Sequence, residues 1–448
     1  MATTRSTTHR TQVVLVPGFA GFDALGQLHY YADVTPIFRD WARGWAAGAG
    51  NGAHPVLHYF DNLPTAGVAT RAARLRDWLV KRVARGELQR GDRLALVAHS
   101  TGGLDIRQLV WDLVQRPDEV IPVDGAAGEA CAVRARDVLG LLKRIVFLSV
   151  PQRGTNFASW VRAHGAARKA LVADLRGAVA ARDVPLVAQL QAWGARNAAS
   201  LMRSELFLAI QDALTEMDPR ASDDPKRVAA ALEAWAEVEL WLRYIWSDFA
   251  AIDDLVAGED GDGATPARFD ASTRKRETDG WETHGIETRS YATVGSRAFN
   301  LEHGVRAPQW RLLNPSTWAE PDGSATASPK TDVVYRMSYR ACAGGPFEIP
   351  GGAATATATR FDSGEAQELE VWDNDGIVNT ASMLWPDGPA TRLVAGDHAD
   401  VIGHFRRVKA VQPAAREYHT YDLLGSASGF REETFEAVWR EVFEFCAG

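Results

Sequence analysis

Short apolar runs with no polar alternation recur along this chain, at residues 12–16, 55–59, 93–98, 144–149, 289–294 and 391–395. Such runs suit strands buried on both faces of a parallel sheet. Between the second and third runs, Ala72, Leu75, Leu79 and Val83 keep near-helical spacing over residues 68–83. After the third, Leu104, Ile106, Leu109, Val110, Leu113 and Val114 do the same. Strand and helix in alternation predict an α/β chain with a doubly wound, mostly parallel central sheet flanked by helices. A last helix over 432–445, with Phe435, Val438, Trp439 and Val442 along one side, closes the fold.

Two regions break the alternation. Residues 155–257 are rich in Ala and Leu and carry Trp160, Trp193, Trp235, Trp241 and Trp246, which predicts a helical insertion. Its tryptophans can anchor a small core, line an apolar cleft or form a lid. Residues 258–286 are polar and read as a loop, whose cluster Glu259-Asp260-Gly261-Asp262-Gly263 lacks the spacing and terminal Glu of a calcium-binding helix-loop-helix. Residues 298–370, with the Ala/Thr run 353–359, read as an irregular insertion. The core is thereby divided into a first part, 1–154, and a second part, 287–448.

Composition narrows the function. A formal net charge of -8 with no basic stripe argues against nucleic-acid binding, which needs clustered Lys and Arg. Cys131, Cys342 and Cys446 are too few and too scattered for a disulfide framework or a cysteine-rich metal site, although one pair could still bridge. The first twelve residues hold no apolar leader core and no run reaches membrane-spanning length. The expectation is a cytoplasmic protein, or a secreted one whose leader was removed; its oligomeric state cannot be read.

Chemistry concentrates where the third run ends. In Ala98-His99-Ser100-Thr101-Gly102-Gly103 a strand enters a tight turn and then a helix, the way a nucleophilic serine is presented. Small residues must lie two positions either side of it, and Ala98 and Gly102 are small. A serine needs a histidine to take its proton, and that imidazole needs a carboxylate. His398 follows the sixth run directly and is the best placed of the histidines, with His404 its competitor. Asp375 and Asp373 both precede it in the order Ser, Asp, His, within an ordinary turn sequence, so the choice between them stays open. Backbone N–H groups of Thr101, after the serine, and Phe19, in the loop Pro17-Gly18-Phe19-Ala20-Gly21, are the expected oxyanion donors.

Four segments together resemble the bacterial true lipases of the α/β-hydrolase superfamily, most closely the heat-stable alkaline lipases of Gram-positive bacteria. They are 16–21, 98–103, Asn374-Asp375-Gly376-Ile377-Val378-Asn379-Thr380-Ala381-Ser382-Met383, and Asp397-His398-Ala399-Asp400-Val401-Ile402-Gly403. The resemblance covers a third to a half of the chain. It implies an α/β-hydrolase fold with a helical lid, Ser100 as nucleophile, His398 as base, Asp375 as its partner, and Phe19 and Thr101 as oxyanion donors. It implies a carboxylic ester hydrolase acting on acylglycerols or hydrophobic polyesters; the alternatives are an amidase, urethanase or acyltransferase on the same triad, or a non-catalytic binder of apolar ligands. The family's zinc has no counterpart, because the only histidine between Asp61 and Ser100 is His99. The family's calcium is held partly by an acid two residues after the histidine, here Asp400, but the second acidic ligand is replaced by Phe405. The expectation is therefore no metal, with Asp400 solvated or capping a turn, and calcium at Asp400 as the alternative.

Overall fold

Every one of the six apolar runs becomes a strand of one sheet. In the computed structural model the described residues are 10–21, 24–25, 28–49, 55–125, 128–165, 173, 204–216, 224–226, 250–257, 265–295, 332–344, 347–349, 353–406 and 421–448. Strand β1 (Thr11–Val16) is followed by a small hairpin, β2 (Ala24–Leu25) and β3 (Leu28–His29), then α1 (Val34–Ala49), β4 (Val56–Tyr59) and α2 (Val68–Ala84). Next come β5 (Arg93–His99), α3 (Gly102–Gln115), a hairpin of β6 (Val120–Asp124) and β7 (Ala130–Arg134), α4 (Ala135–Leu139), β8 (Leu142–Leu148) and α5 (Asn156–Ala163). The second half supplies β9 (Glu287–Val294), β10 (Thr355–Arg360), β11 (Ala366–Glu370), β12 (Arg392–Ala395) and a closing helix, Glu432–Ala447.

The eight-stranded sheet has the order β11-β10-β12-β9-β8-β5-β1-β4. All pairs are parallel except β10 with β11. Alternate residues feed two cores. Val14 and Val16 of β1 and Leu94, Leu96 and Ala98 of β5 face α2 and α3, while Val13, Leu15, Ala95 and Val97 face α1 and the closing helix. On that second face Phe38 and Trp41 meet Phe443, and Tyr31 meets Trp439. The apolar runs lack alternation for this reason: both faces are covered. From β1 the chain moves out to β4 and returns to β5 on the other side of β1, so strand order reverses between β1 and β5. Open α/β sheets bind ligands at the carboxyl ends of strands flanking such a reversal. Mostly parallel, helix-covered and with a serine turn after β5, this is the α/β-hydrolase architecture.

Two readings are corrected. The stretch 258–286 holds a helix, Ala271–Thr283, opened by Asp270, whose side chain accepts from Thr273 N at 2.7 Å. Its buried face is Arg274, Glu277 and Trp281, two of them charged, which hid the period. Glu277 pairs with Arg107 of α3 at 2.8 Å, both side chains fully buried. The stretch 298–370 is likewise structured in part: it holds the helix Val333–Cys342 and the β10–β11 hairpin, so the Ala/Thr run is a strand. Most of the 155–257 insertion, with Trp193, Trp235, Trp241 and Trp246, lies outside the described residues. Trp160 sits on α5 against Phe157 and His164. Cys131, Cys342 and Cys446 are free thiols. No helix among the described residues is long and apolar enough to cross a membrane.

Candidate active site

Ser100 lies at the carboxyl end of β5 with φ of +54°, a left-handed conformation that costs an ordinary residue energy and persists only where its surroundings hold it. Those surroundings are visible. Ser100 N donates to Leu148 O at 3.0 Å and Gly103 N donates back to Ser100 O at 3.0 Å, so the turn is pinned to β8 and to the start of α3. A side chain at Gly102 would collide with Val16 O at 2.6 Å and Pro17 O at 2.7 Å, which requires glycine there. The strained turn sets Ser100 just past the end of β5, where the residue is 5 % exposed.

Three side chains remote in sequence meet at this rim. Ser100 Oγ lies 2.9 Å from His398 Nε2, and His398 Nδ1 lies 2.7 Å from Asp375 Oδ2. Asp375 is fully buried, yet its carboxylate is well satisfied: Oδ1 accepts from Ile377 N at 3.0 Å and Val378 N at 2.7 Å, and Oδ2 also accepts from Thr293 Oγ1 at 2.7 Å. Thr293 Oγ1 in turn lies 2.8 Å from Ser149 Oγ. Because the Thr293 proton goes to Asp375, Ser149 is the donor to Thr293. Neither residue was identified from sequence, and no motif marks them; both are polar residues at the ends of apolar strands.

The rivals fall elsewhere. Asp373 Oδ2 caps a turn by accepting from Glu370 N at 2.8 Å. His404 is buried with Nε2 3.2 Å from Tyr30 O, a core histidine.

The loop after β1, expected from sequence to supply an oxyanion donor, packs closely against the serine. A Cβ on Gly18 would approach Ser100 Cβ to 2.6 Å and Tyr30 Oη to 2.7 Å. The loop is turned by Gly21 N donating to Gly18 O at 3.1 Å and anchored by Ala20 N donating to Pro64 O at 2.7 Å. Thr101 N–H has no acceptor among the described residues. Beneath the loop lies Arg71 of α2, fully buried. Its Nη2 donates to Pro17 O at 2.9 Å and Gly18 O at 3.0 Å, its Nη1 reaches Leu63 O and Pro64 O, and its Nε faces both oxygens of Asp105. Burial pushes the Asp105 carboxyl up to about 6, against the opposing pull of Arg71.

One acidic group flanks the site. Asp397, Asp400 and Asp422 bring carboxylate oxygens within 4.8 Å of one another. Asp400 is 2 % exposed and so is not solvated; its Oδ2 accepts from Asp397 N at 2.7 Å and Ser428 Oγ at 2.8 Å, a capping role. Asp397 Oδ1 accepts from Ala399 N and Asp400 N, but its buried Oδ2 meets no donor in hydrogen-bond geometry among the described residues, although the Ser426 hydroxyl is near enough to lower the Asp397 carboxyl. Burial raises all three carboxyls, and neighbouring carboxylates raise Asp397 and Asp400 further. An orphaned buried oxygen among three carboxylates fits a hard, oxygen-seeking cation. Phe405 cannot contribute: it is packed between Phe430 and Phe435.

No family model and no curated protein matches this chain. Solved structures similar to it include Staphylococcus hyicus lipase (12% identity, TM-score 0.37, covering 99% of this chain and 97% of that one). EstA from Clostridium botulinum (13%, TM-score 0.40, 98% and 89%) and lipase 1 from Pelosinus fermentans (14%, TM-score 0.39, 97% and 99%) are also similar. At such identities and scores these likenesses carry no weight for activity, which must be argued from the geometry of the chain itself.

Proposed function

We propose that this chain is a serine carboxyl-ester hydrolase that cleaves hydrophobic esters through an acyl-enzyme. The observation that carries the reading is the unbroken line from the Ser100 hydroxyl through the His398 imidazole to the buried Asp375 carboxylate. As Ser100 Oγ bonds to the acyl carbon, its proton passes to His398 Nε2, while Nδ1–H stays on the ring and donates to Asp375. Charge developing on the carbonyl oxygen is met by the N–H groups of Thr101 and Phe19. His398 then gives the proton to the departing alkoxide, the alcohol leaves, and water activated by the same nitrogen releases the acid and regenerates Ser100.

Acylglycerols and hydrophobic polyesters are the favoured substrates, on the resemblance of the four segments to lipases and in particular to the alkaline lipases of Gram-positive bacteria. In the same reading Asp397, Asp400 and Asp422 would hold a calcium ion, which would neutralise their charge and brace the loop carrying His398 without entering a chemical step. A fluorophosphonate probe should label the wild-type protein and fail to label Ser100→Ala, whose ester turnover should fall by about 10⁴-fold or more. A wild-type protein that resists the probe at pH 8 and hydrolyses no nitrophenyl ester would sink the proposal and favour a ligand-binding role. Parallel assays with amide substrates and alcohol acceptors separate hydrolysis of esters from the other reactions open to these groups.

A further inference from the structure

A second hydrogen-bonded chain runs beneath the first, and the hydrolase reading assigns its members no role. Gly18 N–H donates to Tyr30 Oη at 2.8 Å, Tyr30 Oη lies 2.7 Å from His99 Nδ1, and His99 Nε2 lies 2.8 Å from the backbone carbonyl oxygen of His398. Tyr30 and His99 are 8 % and 2 % exposed. The chain starts in the oxyanion loop, passes through the residue before the nucleophile, and ends on the backbone of the residue that acts as base.

The hydrogen-bond partners and the burial of the two rings together assign the protons. A carbonyl oxygen only accepts, so His99 Nε2 must carry a hydrogen. Burial, and after it the nearby His398, hold His99 well below the ordinary imidazole range, so the ring is neutral and Nδ1 is bare. A bare Nδ1 can only accept, so the Tyr30 hydroxyl donates to it, and burial keeps that phenol protonated. Every link is thereby fixed in one direction: Gly18 N–H to Tyr30, Tyr30 O–H to His99, His99 N–H to the carbonyl of 398. The His99 and His398 rings are only 4.6 Å apart between centroids, so a charge on His99 would oppose the imidazolium that His398 must become.

We propose that Tyr30 and His99 are positioning residues that lock the oxyanion loop and the backbone of His398 to one another through a neutral hydrogen-bond relay. The proposal rests on the hydrolase reading for its effect on turnover, and on the hydrogen-bond geometry and burial of Tyr30 and His99 for its existence. Tyr30→Phe deletes the central hydroxyl with little change of shape. His99→Gln keeps an N–H for the carbonyl of 398 but moves the acceptor for Tyr30 away from the imidazole Nδ1 position.

Each variant should lower kcat about tenfold with KM within about twofold, since the donors and the base are displaced but no substrate contact is lost. The double variant should be no slower than the worse single, because both break one chain. Losses that multiply in the double variant, or kcat values equal to wild type, would overturn the relay as a positioning device. A readout independent of activity decides its existence: in ¹⁵N-histidine-labelled wild-type protein, His99 should show the neutral Nε2–H tautomer from pH 5 to pH 9, and the Gly18 amide should shift in Tyr30→Phe. An Nδ1–H tautomer, or a His99 ring that protonates within that range, refutes the relay even if esters are hydrolysed. Should wild type hydrolyse no ester, the hydrolase reading fails while the tautomer still decides the relay. If His99→Gln does not fold, Tyr30→Phe alone carries both readouts.

Discussion

Replacing Arg71 with Met separates what the loop proposed to hold the oxyanion needs from what the fold needs. Arg71 and Asp105 are both fully buried and 2.9 Å apart. Deleting the guanidinium strands the Asp105 carboxylate with Asn62 as its remaining side-chain donor, and breaking a buried pair in this way costs about 3–5 kcal/mol. For 448 residues at about 2.1 cal/mol/K each, the unfolding entropy is roughly 0.9 kcal/mol per degree, so the melting temperature should fall by about 3–5 °C. The loop is affected separately. Pro17 O and Gly18 O lose their shared donor, and if Phe19 N–H is an oxyanion donor as proposed, its displacement should cost about 10²–10³-fold in kcat.

Adding Asp105→Leu to Arg71→Met removes the stranded charge. Exchanging a whole buried pair for apolar groups is often close to neutral, so most of the lost melting temperature should return. Nothing in that exchange restores a donor to the loop carbonyls, so kcat should stay depressed. The assay is turnover of a short nitrophenyl ester, normalised by fluorophosphonate titration, beside calorimetric melting. A double variant with wild-type kcat, or a single variant whose loss lies wholly in KM, would refute the argument that Arg71 shapes the oxyanion loop.

Two further outcomes follow from the electrostatics. Calcium at about 100 times its Kd should stabilise the protein by about 2.7 kcal/mol, or roughly 3 °C on the same scale, with calorimetric binding that Asp397→Asn abolishes; no shift at millimolar calcium would leave the carboxylates as a protonated cluster. His58 is half-buried 2.8 Å from Gln12 Oε1, and burial, then Arg82, lower it to about 4 from 6.5. The folded state binds this proton more weakly than the unfolded chain, so stability is unaffected above pH 6.5 and falls as pH drops toward about 4, by about 1–2 kcal/mol after solvent screening; His58→Gln should lose less melting temperature between pH 7 and pH 4.5, and an unchanged slope would disprove this origin.

The strands were legible because a parallel sheet covered on both faces leaves unbroken apolar runs, and Val13 to Val16 or Leu94 to Ala98 have nowhere polar to point. Ser100 was legible because a sharp turn imposes small residues at fixed offsets. Asp375 against Asp373 was not decidable from the turn itself: both are buried and both accept backbone N–H groups, and only the position of β9, with Thr293, separates them in space. The Ala/Thr run of β10 did alternate, Ala358 inward and Thr355, Thr357 and Thr359 less buried, but Ala buries so little surface that the period carried no visible contrast. Arg71 stands on the apolar stripe of α2 between Val68, Ala72 and Leu75, and an arginine at a core position is a signal that a remote partner must exist. Which partner cannot be read locally, because Asp105 and the loop carbonyls arrive from other elements.

How His398 is held bears on where selectivity must reside. Its N–H donates to Asp375 O at 3.0 Å, its carbonyl accepts from His99, and its ring nitrogens face Asp375 and Ser100. Backbone and side chain are therefore both engaged, by the end of β5 with the serine turn after it and by the turn that follows β11. Rotating the ring to suit a different leaving group would break at least one of these contacts in a buried, low-dielectric setting where an unmet polar group is costly. If these groups react as proposed, they have little freedom to adapt to substrate, and discrimination among esters falls to segments outside the Ser100–His398–Asp375 line. α5 opens the insertion: Thr155 at its N-cap bonds to Ile377 O, and Asn156 N to Asn379 Oδ1, so the base of the insertion is tied to the turn that carries Asp375. Substitutions at Phe157 or Trp160 should for this reason change the ester chain-length profile while leaving the rate of a short ester nearly untouched; equal losses on short and long esters would place selectivity in the rim itself.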